Sequence, residues 1–247
     1  MEPALHIHNG TYPVPKNHIR FVCVSDTHSR DFSIPNGDIL IHAGDFTKKG
    51  TELEVLAFSS LLKSLPHKHK VIVAGNHDSP FDVKNYESII RKHRTVPCDP
   101  FKVKRLLSPF YYLEDSFVEV EGYKIWGTPW TKRHYIGAFN SHDKDLLASM
   151  FNQIPDGMDI IVSHSPPLGI LDRTRDNKSV GSGSLARVVA RIKPKVHIFG
   201  HIHESHGHAY VDGTTYINAS ICNNRYQAIF EPYVFDMPLI KFLSISC

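Results

Sequence analysis

The chain has 247 residues, of which 41% are hydrophobic and 21% charged, and its formal net charge is +3. This composition supports a sizeable core in one large domain, and it disfavours stable nucleic-acid binding because no long basic run is present. Four scattered cysteines exclude a disulfide framework and a zinc ribbon, and no apolar stretch reaches the ~20 residues that span a bilayer.

The N-terminus lacks the charged-then-apolar pattern of a signal peptide, so we expect a cytoplasmic protein without a membrane span. Residues 1–17 contain several prolines and weak apolar periodicity, which predict an extended arm ahead of a single domain at 18–247. The densest basic stretch, 102–105, is short and interrupted by Val103. We interpret it as a solvated loop rather than a nucleic-acid patch.

Beyond the arm, short apolar runs alternate with stretches of helical spacing. The apolar runs predict strands at 19–24, 39–41, 71–74, 160–162 and 196–199. The helical patterns lie at 52–65, 83–92, 143–152 and 184–192, with Thr51 as a candidate N-cap of the first helix. This alternation predicts a layered α/β domain.

Other segments favour antiparallel pairing. Residues 117–120 and 123–126, joined by Glu121-Gly122, predict a hairpin. Apolar runs at 209–211, 214–217 and 228–235 are also typical of antiparallel strands. The sheet is therefore expected to be mixed rather than purely parallel.

Each of the strands predicted between 19 and 199 ends in a polar motif. These motifs are Asp26-Thr27-His28, Gly44-Asp45, Gly75-Asn76-His77-Asp78, Ser163-His164 and Gly200-His201-Ile202-His203. In α/β sheets, ligands gather outside the carboxyl ends of strands, so these loops are expected to converge on one site. Their carboxylates, amide oxygen and imidazoles suit Mn, Fe, Zn or Ni and are too nitrogen-rich for a Mg or Ca cage.

As an ordered set, these motifs resemble those of the calcineurin-like metallophosphoesterases, and they span residues 26–203. The segments 21–29, 127–130, 165–169 and 215–220 resemble more closely the animal metallophosphoesterase-domain-containing (UPF0046) subfamily. The resemblance implies an αββα fold, in which mixed β-sheets are sandwiched and flanked by helices. It also implies a metal-dependent phosphodiesterase that acts on small phosphodiesters, with 3′,5′- or 2′,3′-cyclic nucleotides as expected substrates.

The resemblance further implies a metal-binding role for particular residues. Two divalent transition-metal ions are expected per chain, with manganese favoured over iron, zinc and nickel. Metal one would be held by Asp26, His28 and His203, metal two by Asn76, His164 and His201, and Asp45 would bridge both ions. The implied nucleophile is a metal-bridging hydroxide that attacks phosphorus in line.

Catalytic and substrate-binding roles follow from the same resemblance. His77 would donate a proton to the leaving oxygen, with Asp78 orienting its ring. Asn76 and His77 are candidate substrate contacts. Trp130 could stack on a base, although core packing is its favoured role.

Two other functions remain open at this point. A phosphomonoesterase or protein phosphatase would use the same metals and the same proton donor. A non-catalytic adaptor would keep the fold as a binding surface, but it would be expected to have lost ligands or the donor, and this chain retains them all.

Overall fold

The computed structural model describes residues 5–132 and 137–240. Residues 1–4 of the predicted arm and residues 241–247 of the predicted domain lie outside the described residues. Within the described chain, none of the helices is both long and apolar enough to cross a bilayer.

Two six-stranded sheets organise the described chain. The first has the spatial order β1 (Ile7–His8), β14 (Tyr233–Pro238), β2 (His18–Val24), β3 (Ile39–Ala43), β4 (His69–Val73) and β5 (Tyr111–Leu113). The second has the order β12 (Gly207–Val211), β13 (Thr214–Asn218), β11 (Val196–Phe199), β10 (Ile160–Ser163), β7 (Tyr123–Thr128) and β6 (Ser116–Val120). A small third sheet pairs β8 (Thr131–Lys132) with β9 (Asn140–Ser141).

Both large sheets are mixed, as the sequence predicts. β2 to β5 run parallel in the first sheet, and β14 pairs antiparallel with β1 and with β2. In the second sheet β7, β10, β11 and β13 run parallel, whereas β6 and β12 are antiparallel edge strands. The parallel strands of each sheet therefore present their carboxyl ends along one edge.

The helices cover the outer faces of the sheets. They are α1 (Glu52–Ser64), α2 (Tyr86–His93), α3 (Pro100–Arg105), α4 (Lys144–Asn152) and α5 (Gly183–Ile192). The first three pack on the outer face of the first sheet through residues such as Phe58, Ile89 and Val103. The last two pack on the second sheet through residues such as Phe151 and Val188.

A third apolar cluster fills the space between the two sheets. In β2, Phe21 and Cys23 point into this space, while Val22 and Val24 face the helices. This alternation follows from the period of two along a strand, and it explains why buried strands read as continuous apolar runs. The result is a helix–sheet–sheet–helix sandwich, which confirms the predicted αββα fold.

The structure corrects the sequence interpretation in two segments. The strand predicted at 228–235 begins only at Tyr233, because Pro232 has no N–H to donate to a ladder and Ala228 forms only an isolated bridge with Cys222. The stretch 102–105 belongs to α3 rather than a loop. Its helix begins because the Asp99 side chain accepts hydrogen bonds from the N–H groups of Phe101 and Lys102.

The N-terminal arm is tied to the first sheet over its described part. Ile7–His8 pairs with β14, and the Arg20 guanidinium donates to the carbonyl of Gly10. Arg20 is in turn held by two hydrogen bonds of 2.8 Å to Asp236. Within the described residues, Ile7–His8 therefore forms an edge strand of the first sheet.

Candidate metal centre

Two buried carboxylates, Asp26 after β2 and Asp45 after β3, lie where the carboxyl ends of the two sheets meet. One oxygen of each is held by a backbone amide. Asp26 Oδ2 accepts from the N–H of His201 at 2.9 Å, and Asp45 Oδ1 accepts from the N–H of His77 at 2.7 Å. The second oxygen of each carboxylate is left facing imidazole nitrogens.

The first donor group consists of Asp26, His28 and His203, whose ligand atoms lie within 4.8 Å of one another. His203 Nε2 is 3.2 Å from Asp26 Oδ1 and 3.2 Å from His28 Nε2. The structure thus brings together the three residues predicted for metal one.

The second donor group consists of Asp45, His164 and His201, again within 4.8 Å. His164 Nε2 lies 3.4 Å from Asp45 Oδ2 and 3.1 Å from Asn76 Oδ1, so Asn76 joins the group. These are the residues predicted for metal two, together with the predicted bridging carboxylate.

A single oxygen links the two groups. Asp45 Oδ2 is 3.9 Å from His28 Nε2, 3.4 Å from His164 Nε2 and 4.0 Å from His77 Nε2. Because His28 belongs to the first group and His164 to the second, Asp45 faces both. We refer to Asp26, His28, Asp45, Asn76, His164, His201 and His203 as the metal centre.

Backbone carbonyls set the orientation of three of the rings. His28 Nδ1 lies 3.2 Å from the Thr47 carbonyl, His164 Nδ1 lies 2.9 Å from that of Ala43, and His203 Nδ1 lies 2.9 Å from that of Asn223. A carbonyl only accepts, so each Nδ1 carries a proton. In the neutral ring Nε2 is then a lone pair directed into the centre, which is the tautomer that binds a metal.

The charges show that the centre requires positive charge. Burial raises the pKa of Asp26, but the hydrogen bond from His203 and the nearby imidazoles outweigh burial and hold it well below its usual value. Burial alone would lower the pKa of His164, yet Asp45 raises it to about 9. Burial would also lower the pKa of His203, but the hydrogen bond and the charge of Asp26 raise it to about 8. The two buried carboxylates thus favour positive charge beside them, which a divalent cation would also supply.

The two remaining imidazoles are neutral. Burial lowers the pKa of His28 to about 4 and that of His201 to about 3. Neutral imidazole is the form that coordinates a metal.

The spacing of the donors also fits bound ions. Two donors that each bind one ion at about 2.1 Å lie roughly 3.0–3.4 Å apart. The closest donor pairs of the centre are separated by 3.1, 3.2 and 3.4 Å. Carboxylate, amide and imidazole ligands in this number suit divalent transition metals.

Unusual backbone conformations allow the ligands to approach one another. Asp26, His28, Asp45 and His201 all have positive φ, between 45° and 69°, a region that non-glycine residues seldom adopt and that is concentrated at functional sites. A Cβ at Gly200 would lie 2.0 Å from Asp26 Oδ2, and one at Gly75 would lie 2.2 Å from Asp45 Oδ1. The glycines of the sequence motifs are thus needed for close contact with the carboxylates.

The structure corrects the role predicted for Asp78. Its Oδ2 accepts from the N–H groups of Gly75 and Asp45, and its Oδ1 accepts from the N–H and the hydroxyl of Thr47, at 2.7 to 2.9 Å. Burial and the charge of Asp45 raise the pKa of Asp78 to about 7, while the Thr47 and Gly75 donors favour its ionised form. Asp78 therefore ties the β3 and β4 loops together and does not orient the His77 ring.

The His77 ring is instead oriented by a residue that the sequence reading missed. His77 Nδ1 lies 2.8 Å from the carbonyl of Lys48, in the loop after β3. The sequence offers almost no sign of this contact, because any residue can supply a backbone carbonyl and Lys48 belongs to no motif.

Tyr226 is a second residue that the sequence did not reveal. Its ring packs edge-on against the rings of His28, His77 and His203, with centroids 4.8, 5.9 and 5.7 Å apart. Tyr226 itself has a positive φ of 58°. It is distant from the other site residues in the sequence and comes beside the metal centre only in the folded chain.

Three other aromatic residues have packing roles. Trp130 Nε1 donates to Asp115 at 2.7 Å and its ring contacts Phe139, and no described contact joins it to the metal centre. His42 is buried beside Phe58, and His206 stacks between Phe230 and Tyr233. The position of Trp130 agrees with the packing role favoured for it from the sequence.

Known proteins resemble this chain in sequence over most of its length. Residues 19–205 match the family described as calcineurin-like phosphoesterase. Metallophosphoesterase domain-containing protein 1 of Homo sapiens is 42% identical over 239 residues, which cover 92% of this chain and 73% of that protein. A UPF0046 protein of Caenorhabditis elegans is 39% identical over 236 residues, covering 92% of this chain and 84% of the relative.

Solved structures show the same fold. One has a TM-score of 0.59 at 17% identity and covers 81% of this chain and 90% of its own. Another, from Thermus thermophilus, has a TM-score of 0.50 at 13% identity and covers 81% and 88%. At such identities the likeness concerns the fold alone.

We expect Asp78→Asn to destabilise the protein by about 1–3 kcal/mol, the usual cost of buried donors left without acceptors. An amide has one oxygen, so its NH₂ group would face two of the four donors that Asp78 now satisfies. Urea denaturation measures the change. Asp156→Asn, at a side chain that is 76% exposed, is the matched control. Equal unfolding free energies for the two variants would contradict the role assigned to Asp78.

Proposed function

Because this chain belongs to the calcineurin-like phosphoesterase family, we propose that it hydrolyses small phosphodiesters, cyclic nucleotides among them, with two divalent metal ions at the metal centre. The observation that carries this proposal is the position of Asp45 Oδ2 between two donor groups, within 4.0 Å of imidazole nitrogens from both. One shared carboxylate between two donor sets suits a dinuclear site better than two independent ones.

The residues divide into two ligand sets. Asp26, His28 and His203 would hold one ion, Asn76, His164 and His201 the other, and Asp45 both. When bound, two such ions supply positive charge to the phosphoryl group and lower the pKa of water to near neutrality. We propose manganese as the native metal and the cytoplasm as the compartment.

His77 is proposed as the proton donor. Its side chain is 28% exposed, whereas those of His28 and His164 are fully buried. The Lys48 carbonyl accepts the Nδ1 proton, so in the imidazolium form the second proton, on Nε2, is available to the leaving oxygen. His77 Nε2 lies 4.0 Å from Asp45 Oδ2, so the proposed donor atom is close to the metal centre. As the P–O bond to the leaving group breaks, the Nε2 proton neutralises the departing oxygen.

The function is tested with a panel of substrates. The protein is assayed with Mn, Ni, Zn and Fe on 3′,5′- and 2′,3′-cyclic nucleotides, bis(p-nitrophenyl) phosphate, p-nitrophenyl phosphate and a phosphopeptide. Turnover of the diesters is expected. Turnover of monoesters alone would replace the diesterase with a phosphomonoesterase, and no bound metal with no metal-stimulated activity would favour an adaptor.

We expect His77→Ala to lower kcat by about 10²–10⁴-fold, the usual contribution of a positioned proton donor, while metal content stays near two ions per chain. Metal analysis and steady-state kinetics on bis(p-nitrophenyl) phosphate separate the two effects. His208→Ala, at an exposed histidine of β12, serves as the control. A large loss of metal in His77→Ala would instead identify His77 as a ligand.

Asp45→Asn is expected to lose metal as well as activity. The amide is neutral and offers one oxygen, and that oxygen must also accept the His77 N–H that Asp45 Oδ1 accepts now. Metal content is measured after purification without chelator, with Asp156→Asn as the matched control. Retention of two ions would rule out a bridging role for Asp45.

A further inference from the structure

A cavity of about 410 Å³ lies directly beside the metal centre. Its lining includes Asn76 of the metal centre and the neighbouring His77, together with the basic residues Lys48, Lys49, His93 and Arg94. We call this cavity the basic pocket. Its volume falls within the range of small-molecule sites, which runs from about 300 to 1,000 Å³.

The charged residues that line the basic pocket carry positive charge only. Lys48, Lys49 and Arg94 contribute cations, and no carboxylate belongs to the described lining. Some lysines elsewhere pair with carboxylates: Lys102 with Glu52 at 2.6 Å and Lys104 with Glu114 at 2.7 Å. None of the three pocket cations forms an ion pair with a carboxylate in the described parts of the chain. Cations concentrated in a concave surface without counter-charges attract an anionic group.

The loop that carries the two lysines is held in place. The Glu54 carboxylate accepts hydrogen bonds from the N–H groups of Lys48 and Lys49, at 3.0 and 3.2 Å, and from that of Thr51 at 2.9 Å. The backbone is therefore fixed while the ammonium groups are left free of Glu54. Lys48 Nζ lies 5.8 Å from the centroid of the Tyr226 ring, on the side of the metal centre.

The position of the pocket relates it to the leaving group. His77, the proposed proton donor to the leaving oxygen, lines the pocket, and its Nε2 lies 4.0 Å from Asp45 Oδ2. A substrate whose phosphoryl group lies at the metal centre would then extend past His77 into the pocket on its leaving-group side.

We propose that the preferred substrates carry a second phosphate on the leaving-group side, which binds Lys48, Lys49 and Arg94 in the basic pocket. This inference rests on the proposed function for the metal centre and adds a substrate class to it. Lysine ammonium groups bind phosphate as point charges, and an arginine guanidinium can bind two of its oxygens at once. The reaction is unchanged: water adds to phosphorus, the P–O bond to the leaving group breaks, and the second phosphate leaves intact with that group.

The test compares two ligands that differ by one phosphate. Adenosine 3′,5′-bisphosphate and adenosine 5′-monophosphate are titrated calorimetrically into the manganese-loaded protein at fixed ionic strength. We expect the bisphosphate to bind at least about tenfold more tightly, since one charge-assisted hydrogen bond contributes that much. In the double variant Lys49→Gln/Arg94→Gln this ratio should fall towards one, and in Lys63→Gln, at an exposed residue of α1, it should not change.

The outcomes separate the inference from the proposed function. Equal affinities in the unmodified protein, or a ratio that the double variant leaves unchanged, would overturn the inference even if diesters are hydrolysed. A preference for the bisphosphate that depends on Lys49 and Arg94 would support the second phosphate site. The same preference with no ester in the panel turned over would keep that binding site but overturn the substrate class. Hydrolysis of bis(p-nitrophenyl) phosphate decides the proposed function separately, because that substrate has no second phosphate. Circular dichroism of each variant checks that the fold is retained.

Discussion

The structure depends on how it keeps two carboxylates, Asp26 and Asp45, ionised in a buried position. Each commits one oxygen to a backbone amide and directs the other at imidazole nitrogens. An unpaired buried charge would cost several kcal/mol, so the amides and imidazoles are a condition of folding as well as of function. The positive φ angles of the ligands and the glycines before them follow from this requirement, because they bring backbone amides to within hydrogen-bonding distance of the carboxylates.

The same contacts join the two sheets. The Nδ1–H of His164, after β10 of the second sheet, donates to the carbonyl of Ala43 in β3 of the first. The N–H of His201, after β11 of the second sheet, likewise donates to Asp26, after β2 of the first. The centre is thus built across the interface rather than on one sheet. If the edge of either sheet loosened locally, ligands of both metal sets would move apart. Asp78, with four hydrogen bonds directly behind the ligands, holds the loops after β3 and β4 together.

Short-range patterns in the sequence, namely apolar runs and polar motifs at the ends of parallel strands, predict a layered α/β domain with mixed sheets and one site where these motifs converge. The αββα arrangement and the division of the donors into two groups are implied by the family resemblance. The sequence predicts contacts between side chains less well. Asp78 follows His77 directly, yet three of its four donors come from Asp45 and Thr47 in the loop after β3, since neighbouring residues on a turn point in different directions. The carbonyl of Lys48 contacts the His77 ring, and the ring of Tyr226 packs against His28. Neither contact follows from a local sequence pattern.

A helix cap connects stability with chemistry in this protein. Thr51 and Glu54 form the capping box of α1, in which each side chain accepts from the backbone of the other. The Glu54 carboxylate also binds the N–H groups of Lys48 and Lys49. It thereby fixes the carbonyl that orients His77 and the loop that lines the basic pocket. A capping residue that usually stabilises a helix end here also helps to orient the proposed proton donor, because Glu54 binds the backbone of the residue whose carbonyl contacts His77.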